Sequence, residues 1–261
     1  GLAREDLFTV VHDQVLTDTA RYADVVLPAT TSFEVDDIVA GYGSYWVQDS
    51  PAVIPPVGES RTNNQVAHGL AVRLGLDGDA FDPSPARLRE LTIGAFELPL
   101  RLQREGAVQF RDLWPTHAGT DSRKARLVTE DPTSDRVPTY RENDATGGSL
   151  VLLTPATNRN ITSMFGEYDA PDPSVRLAPA DAEARGLVDG QLGVVTNGDV
   201  SITVPVAVDD TLREGVASIP KGLWCTATPE GLTANAFAPD TLSDLAGGAR
   251  FNDALVEVLP A

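Results

Sequence analysis

Leu150-Val-Leu-Leu-Thr-Pro-Ala-Thr-Asn-Arg-Asn-Ile-Thr-Ser-Met-Phe-Gly-Glu167 decides how this 261-residue chain is read. Four apolar residues make a short strand of the buried type. The loop that follows is built of Thr, Asn, Ser and Gly, so it offers many neutral hydrogen-bond donors and little positive charge. From Ser149 onward the pattern is one of short strands separated by turn signals. The candidates are Leu150–Thr154, Val175–Leu177, Gln191–Thr196, Ser201–Val208, Gly215–Ile219 and Ala254–Leu259. Ile202, Val204, Val206 and Val208 alternate with Thr203, Pro205 and Ala207, the period of a half-buried strand. One short helix, Asp181–Arg185, is predicted with Gly186 as its cap. So many short strands in about 110 residues predict a closed β-barrel.

Upstream the pattern differs. Leu7–Val11 reads as a strand, Leu16–Ala23 as one or two helical turns, and Val25–Leu27 as a second strand stopped by Pro28. Strand–helix–strand is the closing unit of a parallel α/β sheet, whose other strands are not in this sequence. A parallel sheet needs both faces covered, and the first residue is Gly rather than Met. The chain is therefore expected to be a piece of a longer polypeptide. Residues 34–56 read as loop around Gly41-Tyr-Gly-Ser-Tyr-Trp46. Asn63–Leu74 is predicted as an amphipathic helix, with Val66, Leu70 and Leu74 on one stripe and Gly75 as its stop. Pro83–Leu98 is predicted as another. Residues 116–148, rich in Asp, Thr, Arg, Pro and Gly, read as a surface linker. The expected organisation is an α/β fragment over 1–115, a linker over 116–148 and a barrel over 149–261.

Composition narrows the function classes. A net charge of -18 argues against a nucleic-acid partner, since phosphate contacts need clustered basic side chains. The lysines are Lys124 and Lys221 alone. The acidity reads as solubility rather than function. A single cysteine, Cys225, rules out a disulfide framework or an all-cysteine zinc or iron–sulfur site within this sequence. It also favours a reducing compartment, and the cytoplasm is the expected location. No apolar run approaches the roughly 18–20 residues of a membrane span, and the first residues lack signal-peptide character.

The motifs are more specific than the composition. Thr17-Asp-Thr-Ala-Arg-Tyr-Ala-Asp-Val-Val-Leu-Pro28 is followed by Glu34, then by Val57-Gly-Glu-Ser-Arg-Thr-Asn-Asn64 and the Leu70–Leu74 helix. Further on come Asp181-Ala-Glu-Ala-Arg-Gly-Leu-Val-Asp-Gly190, Gly222-Leu-Trp224, Asn235 and Phe251-Asn252. In this order they resemble the C-terminal part of the molybdopterin oxidoreductases of the dimethyl-sulfoxide-reductase and formate-dehydrogenase superfamily. The resemblance covers nearly the whole chain. It implies the end of a catalytic α/β domain followed by a six-stranded double-psi β-barrel that binds molybdopterin guanine dinucleotide.

The resemblance further implies a molybdenum or tungsten bis-pterin oxidoreductase. Its reaction would be a two-electron oxidation or an oxygen-atom transfer, of the formate-dehydrogenase or S-/N-oxide-reductase kind. The metal ligand and any [4Fe-4S] cluster would lie in N-terminal pterin-binding domains, in the same chain or in a separate catalytic chain. No catalytic or metal residue is expected here, so the chain alone should be inactive. The alternative is a non-catalytic cofactor-binding partner subunit or remnant barrel. Cofactor contacts are implied along the loop after the first barrel strand, at Thr154, Asn158, Asn160, Thr162 and Ser163, and downstream at Asn235 and Asn252. Arg159, Lys221 and Arg250 are candidate phosphate partners. Two places depart from the family pattern. Tyr45 and Trp46 stand where an Arg is common, and Asp36-Asp37 where a Gly is common.

Other features carry less. Asn160-Ile-Thr162 matches a glycosylation acceptor by coincidence. His12, His68 and His117 are scattered without metal-site spacing, although His12 sits near a strand end where α/β active sites gather. Cys225 is expected to pack beside Trp224. Glu34, Asp36 and Asp37 read as a solvated acidic loop, with a proton relay as the alternative. No Ser-His-Asp order, Walker loop or Rossmann fingerprint is present.

Overall fold

The structure is a computed structural model that describes residues 1–42, 46–76, 82, 84–94, 107–109, 118–128, 139–140, 142, 146–158, 162–168, 172–243 and 247–261. The chain forms two compact units, Gly1–Ala125 and Arg126–Ala261. The expected linker at 116–148 straddles the division, and much of it lies outside the described residues. No helix among the described residues is long and apolar enough to cross a membrane.

In the first unit, β1 (Val10–Asp13) and β2 (Val25–Pro28) pair in parallel, with Val10 opposite Val25 and Asp13 opposite Pro28. A 3-10 turn at Ala20–Tyr22 connects them. The first strand starts three residues later than the sequence predicts, because its ladder begins only where β2 does. Before that point Thr9 is held by Asp24, whose carboxylate accepts the Thr9 N–H at 2.7 Å.

The reading of 34–56 as loop is overturned. Strands β3 (Asp37–Ala40) and β4 (Trp46–Ser50) pair antiparallel, and β5 (Ala107–Gln109) joins β4 to make three strands. These strands are short and charged, with no clear alternation. One partner of β4 lies some sixty residues away (Val47 opposite Val108), beyond the reach of a local pattern.

Helix α1 (Asn63–Arg73) opens with a capping box, in which Gln65 N–H donates to Thr62 Oγ1 at 3.1 Å and Thr62 N–H to Gln65 Oε1 at 2.9 Å. Helix α2 spans Pro85–Gly94. The expected apolar stripe on α1 is present but uncovered. Leu70 is 55% exposed and Leu74 73%, and only Ala71 of the helix is buried. Among the described residues, the buried apolar side chains of this unit are Ala20 and Ala71.

The core is in the second unit. Strands β6 (Leu150–Leu153), β7 (Val175–Leu177), β8 (Leu192–Thr196), β9 (Ser201–Val208), β10 (Val216–Ser218) and β11 (Leu255–Pro260) close into a barrel in the order β10-β6-β11-β8-β9-β7. The pairings are mixed: β10 with β6 and β7 with β9 are parallel, the other four antiparallel. All six predicted strands are present to within a residue or so. Leu150, Leu152, Val175, Leu177, Val195, Ile202, Val204, Val206, Val256 and Val258 point inward and are fully buried. Thr203, Pro205 and Ala207 alternate outward as expected.

Where β9 extends past β7, the Glu230 carboxylate takes over as acceptor. It receives Thr203 N–H at 3.0 Å and Thr203 Oγ1–H at 2.6 Å, and these bonds hold its pKa below the usual range.

Helix α3 (Pro179–Ala184) is fastened to the barrel by Arg185. The guanidinium donates to Glu257 Oε1 at 2.6 Å, Ser149 Oγ at 2.7 Å and Asp181 Oδ1 at 3.3 Å. Asp181 in turn accepts Gly215 N–H at 2.7 Å. One cation thereby ties together the starts of β6 and β10, the helix and β11.

The two units should respond differently to side-chain truncation. Ile202→Ala, in the barrel interior, is expected to cost about 2–5 kcal/mol in a denaturant titration of the chain. Leu70→Ala, on the uncovered stripe of α1, is expected to stay within about 0.5 kcal/mol.

Candidate functional site

The pairing pattern decides where the barrel's long connections emerge. Because β6 and β10 are parallel, both end at the same rim, and β11, antiparallel to β6, begins there. Two connections therefore share one end of the barrel, β6 to β7 (residues 154–174) and β10 to β11 (residues 219–254). All ten residues singled out as cofactor contacts or phosphate partners fall in these two stretches of sequence.

Backbone bonds fasten the segments together. Ile219 N–H donates to Leu153 O at 3.1 Å, Lys221 N–H to Pro155 O at 3.0 Å, and Leu152 N–H to Ala254 O at 2.9 Å. Thr154 is buried at the base of the rim. Asn158, Thr162 and Ser163 are exposed further along the first segment. Asn160 and Arg159 lie outside the described residues. Lys221 is half-buried on the second segment, and Asn252 is exposed just before β11. Asn235 is exposed on a 3-10 turn, Ala234–Phe237, anchored by the buried Ala234 and Phe237. Arg250 is largely committed within the protein, since its Nε donates to Asp253 at 2.9 Å and its Nη1 to Thr241 Oγ1 at 3.2 Å.

The structure thus brings Thr154, Thr162, Ser163 and Lys221 together through direct contacts of their segments. Asn158, Asn235, Arg250 and Asn252 lie elsewhere on the same two connections. Sequence reasoning gave no role to Trp224, whose Nε1–H donates to Ser163 O at 2.8 Å, nor to Gly222 and Gly166, which pack into the same contact. The signal was available in Gly222-Leu-Trp224, but its partner lies about sixty residues upstream.

The donor set has a definite chemistry. Hydroxyls, amides and backbone N–H groups surround one ammonium, Lys221. Such a rim can solvate a pyrophosphate and hydrogen-bond a base without the dense positive charge that nucleic-acid binding demands. No group of three or more His, Cys, Asp or Glu suited to a metal occurs among the described residues. Cys225 is half-buried beside Trp224, as expected.

The first unit holds a cleft of about 410 Å³ beyond the carboxyl ends of β1 and β2, lined by Gln14, Thr30, Thr31, Asp36, Asp37 and the first residues of α1. Crevices at this edge are the usual ligand positions of α/β sheets. His12 lies within β1 rather than after it, and its Nε2 is 3.1 Å from Arg61 O.

Glu34 is neither a solvated acid nor a member of a relay. It is 6% exposed, and its carboxylate accepts Thr31 N–H and Val57 N–H, each at 2.6 Å, and Ser60 Oγ–H at 3.3 Å. It staples its own Thr31–Glu34 turn to the Val57–Ser60 turn. Asp36 and Asp37 cap backbone N–H groups of Ala52 and Ile38.

With this geometry in place, comparison with known proteins is informative. Residues 150–255 match the molydopterin dinucleotide binding domain, and residues 1–73 match the molybdopterin oxidoreductase family. The chain is 32% identical over 285 aligned residues to "Probable oxidoreductase YoaE" of Bacillus subtilis (strain 168), covering 99% of this chain and 41% of that protein. It is 27% identical to a dimethyl sulfoxide/trimethylamine N-oxide reductase of Rhodobacter capsulatus, over 82% of this chain and 32% of the relative. Among solved structures, acetylene hydratase from Pelobacter acetylenicus superposes with a TM-score of 0.80 at 22% identity, covering 97% of this chain and 40% of that one. That likeness is one of fold. The chain spans less than half the length of each of these relatives.

Glu34 makes the staple measurable. Hydrogen bonds from Thr31 first, then Val57, lower its pKa from 4.5 to about 2. A depressed carboxylate pKa contributes stability that is full above the unfolded value and fades as pH falls toward the folded one. The first unit should therefore lose stability between 4.5 and about 2. Glu34→Gln should flatten that dependence and lower stability at neutral pH, as read by urea unfolding across the acid range.

Proposed function

Because the chain belongs to the molybdopterin oxidoreductase family, we propose that it is the C-terminal portion of a bis-molybdopterin guanine dinucleotide enzyme. The barrel rim receives the nucleotide end of the cofactor. The observation that carries this reading is the convergence of the two long connections at one rim, lined by neutral donors and Lys221.

The donor set fits the group. Thr154, Thr162 and Ser163 with Asn158 supply hydroxyl, amide and backbone donors from one segment, and Lys221, Asn235 and Asn252 supply theirs from the other. A pyrophosphate accepts hydrogen bonds from N–H and O–H groups, and a guanine base both donates and accepts. When bound, the cofactor supplies two-electron chemistry at a molybdenum or tungsten centre. This chain's residues hold and orient the nucleotide end and exclude water around it. Residues 149–261 are assigned to this task, and residues 1–115 to the end of the catalytic domain.

The first unit supports the rest of the proposal. Phe8 is 72% exposed, and Leu70 and Leu74 of the α1 stripe and Val10, Val25 and Val26 of the β1–β2 pair are also exposed. A two-stranded parallel sheet is not a self-sufficient fold. These apolar faces fit packing against pterin-binding domains, in the same polypeptide or in a separate catalytic chain. Those domains would supply the metal ligand and any [4Fe-4S] cluster, which leaves the 261-residue chain inactive alone. The whole protein's reaction would be oxygen-atom transfer or two-electron oxidation, with the cleft beyond β1 and β2 on the substrate side. A cytoplasmic location belongs to the same proposal, and the single cysteine is what supports it.

The test is made on the protein from its native source. Intact mass, Mo and W content and GMP released on hydrolysis are measured together. The expected result is a mass well above that of 261 residues, with about one metal and about two GMP per chain. A mass of 261 residues with neither metal nor nucleotide would overturn the reading.

A further inference from the structure

The loop after β6 is held in a costly backbone conformation by a contact the cofactor reading does not use. Among the described residues, three non-glycines have positive φ. Two of them are in this loop, Thr162 at 56° and Phe165 at 63°. Side-chain-bearing residues adopt such angles only where their surroundings enforce them.

The loop's own apolar side chains do not enforce them. Met164 and Phe165 are each 52% exposed, and Tyr168 is 80% exposed. A loop anchored by its side chains would bury them.

What faces the loop is the Gly222–Trp224 turn. Trp224 Nε1–H donates to Ser163 O at 2.8 Å, between the two positive-φ residues. The indole lies so close to Gly166 that a Cβ there would sit 2.3 Å from Trp224 Nε1. Gly222, at φ +89°, presses against the other side, where a Cβ would fall 1.8 Å from Thr162 O. The bond from Lys221 N–H to Pro155 O at 3.0 Å fixes the base of the turn. Gly166 is required by contact, and Gly222 by contact as well as by conformation.

We propose that Trp224, seated against Gly166 and bonded to Ser163 O, is a latch that positions the 162–166 backbone to receive the nucleotide end of the cofactor. This rests on the cofactor reading above and assigns a residue that need not touch the cofactor. Trp224 is a positioning residue. Its single N–H, with the two glycine contacts, holds the Thr162 and Ser163 donors in place before the ligand arrives. A preorganised loop spends less of its interaction free energy on ordering.

The test uses the full-length protein that carries this chain, freed of its cofactor, with GDP as the probe for the nucleotide end. Trp224→Phe keeps an aromatic ring and removes the N–H. Its dissociation constant for GDP is expected to rise about tenfold, the effect of one lost hydrogen bond. Amide exchange at 162–168 should rise, while the barrel's unfolding midpoint stays in place. Gly222→Ala, whose methyl group would strike Thr162 O, should weaken binding further. Wild-type GDP affinity in Trp224→Phe, or unchanged exchange at 162–168, would overturn the latch alone. Weakened binding accompanied by a lower barrel midpoint would reduce Trp224 to a packing residue and also overturn it. Failure of the unmodified protein to bind GDP would instead remove the cofactor reading, and the latch with it.

Discussion

A ring of six short strands has no free edge, and the way this ring closes fixes everything functional that follows. Each strand is only three to eight residues long and would be marginal in an open sheet. Closure pairs every strand on both sides and puts the Leu, Val and Ile side chains in one interior. It does so with two parallel pairings in an otherwise antiparallel ring. In the ring β10 stands between β6 and β7, and β6 between β10 and β11, so neither the β6–β7 nor the β10–β11 connection can be a tight hairpin. The β6–β10 pairing sends two such connections from the same rim. The loops that could hold a cofactor are thus a topological consequence of how the core is closed.

In the proposed reading the rim lets an acidic protein bind a polyanion. With a net charge of -18, long-range attraction works against phosphate. Short-range donors compensate where they are fixed in place, and here they are hydroxyls, amides and backbone N–H groups on segments tied together by backbone bonds. Arg250, which sequence alone offered as a phosphate partner, is ion-paired to Asp253, so less of its charge is available to a ligand. Lys221 stands on the turn that meets the first segment at Pro155.

The first unit is built on the opposite balance. Its polar groups are well satisfied, as Glu34 shows by gathering Thr31, Val57 and Ser60 around one carboxylate. Its apolar groups are not covered, from Phe8 through the stripe of α1. A segment whose loops are tied by such bonds while apolar side chains lie exposed has its loop geometry specified within itself and its stability specified elsewhere. That is the pattern expected of the edge of a larger domain.

The barrel strands were legible because alternation in Ser201–Val208 and apolar runs such as Leu150–Leu153 are written into adjacent residues. Motif order in Thr17–Pro28 and Asp181–Gly190 likewise pointed to the family. The β3–β4–β5 sheet was not legible, since its strands lack a period and one partner comes from residues 107–109. Nor was the role of Glu34, which reads as one more acid in an acidic loop until Val57 and Ser60 fold over it. The indole of Trp224 meets Ser163 O only in the folded barrel, across 61 residues. By itself the sequence determined the barrel strands, the barrel class and the family, because hydrophobic period and motif order act between near neighbours. Only the tertiary structure decided which polar groups meet at the rim and which apolar faces stay bare, because those depend on contacts between segments that no local pattern encodes.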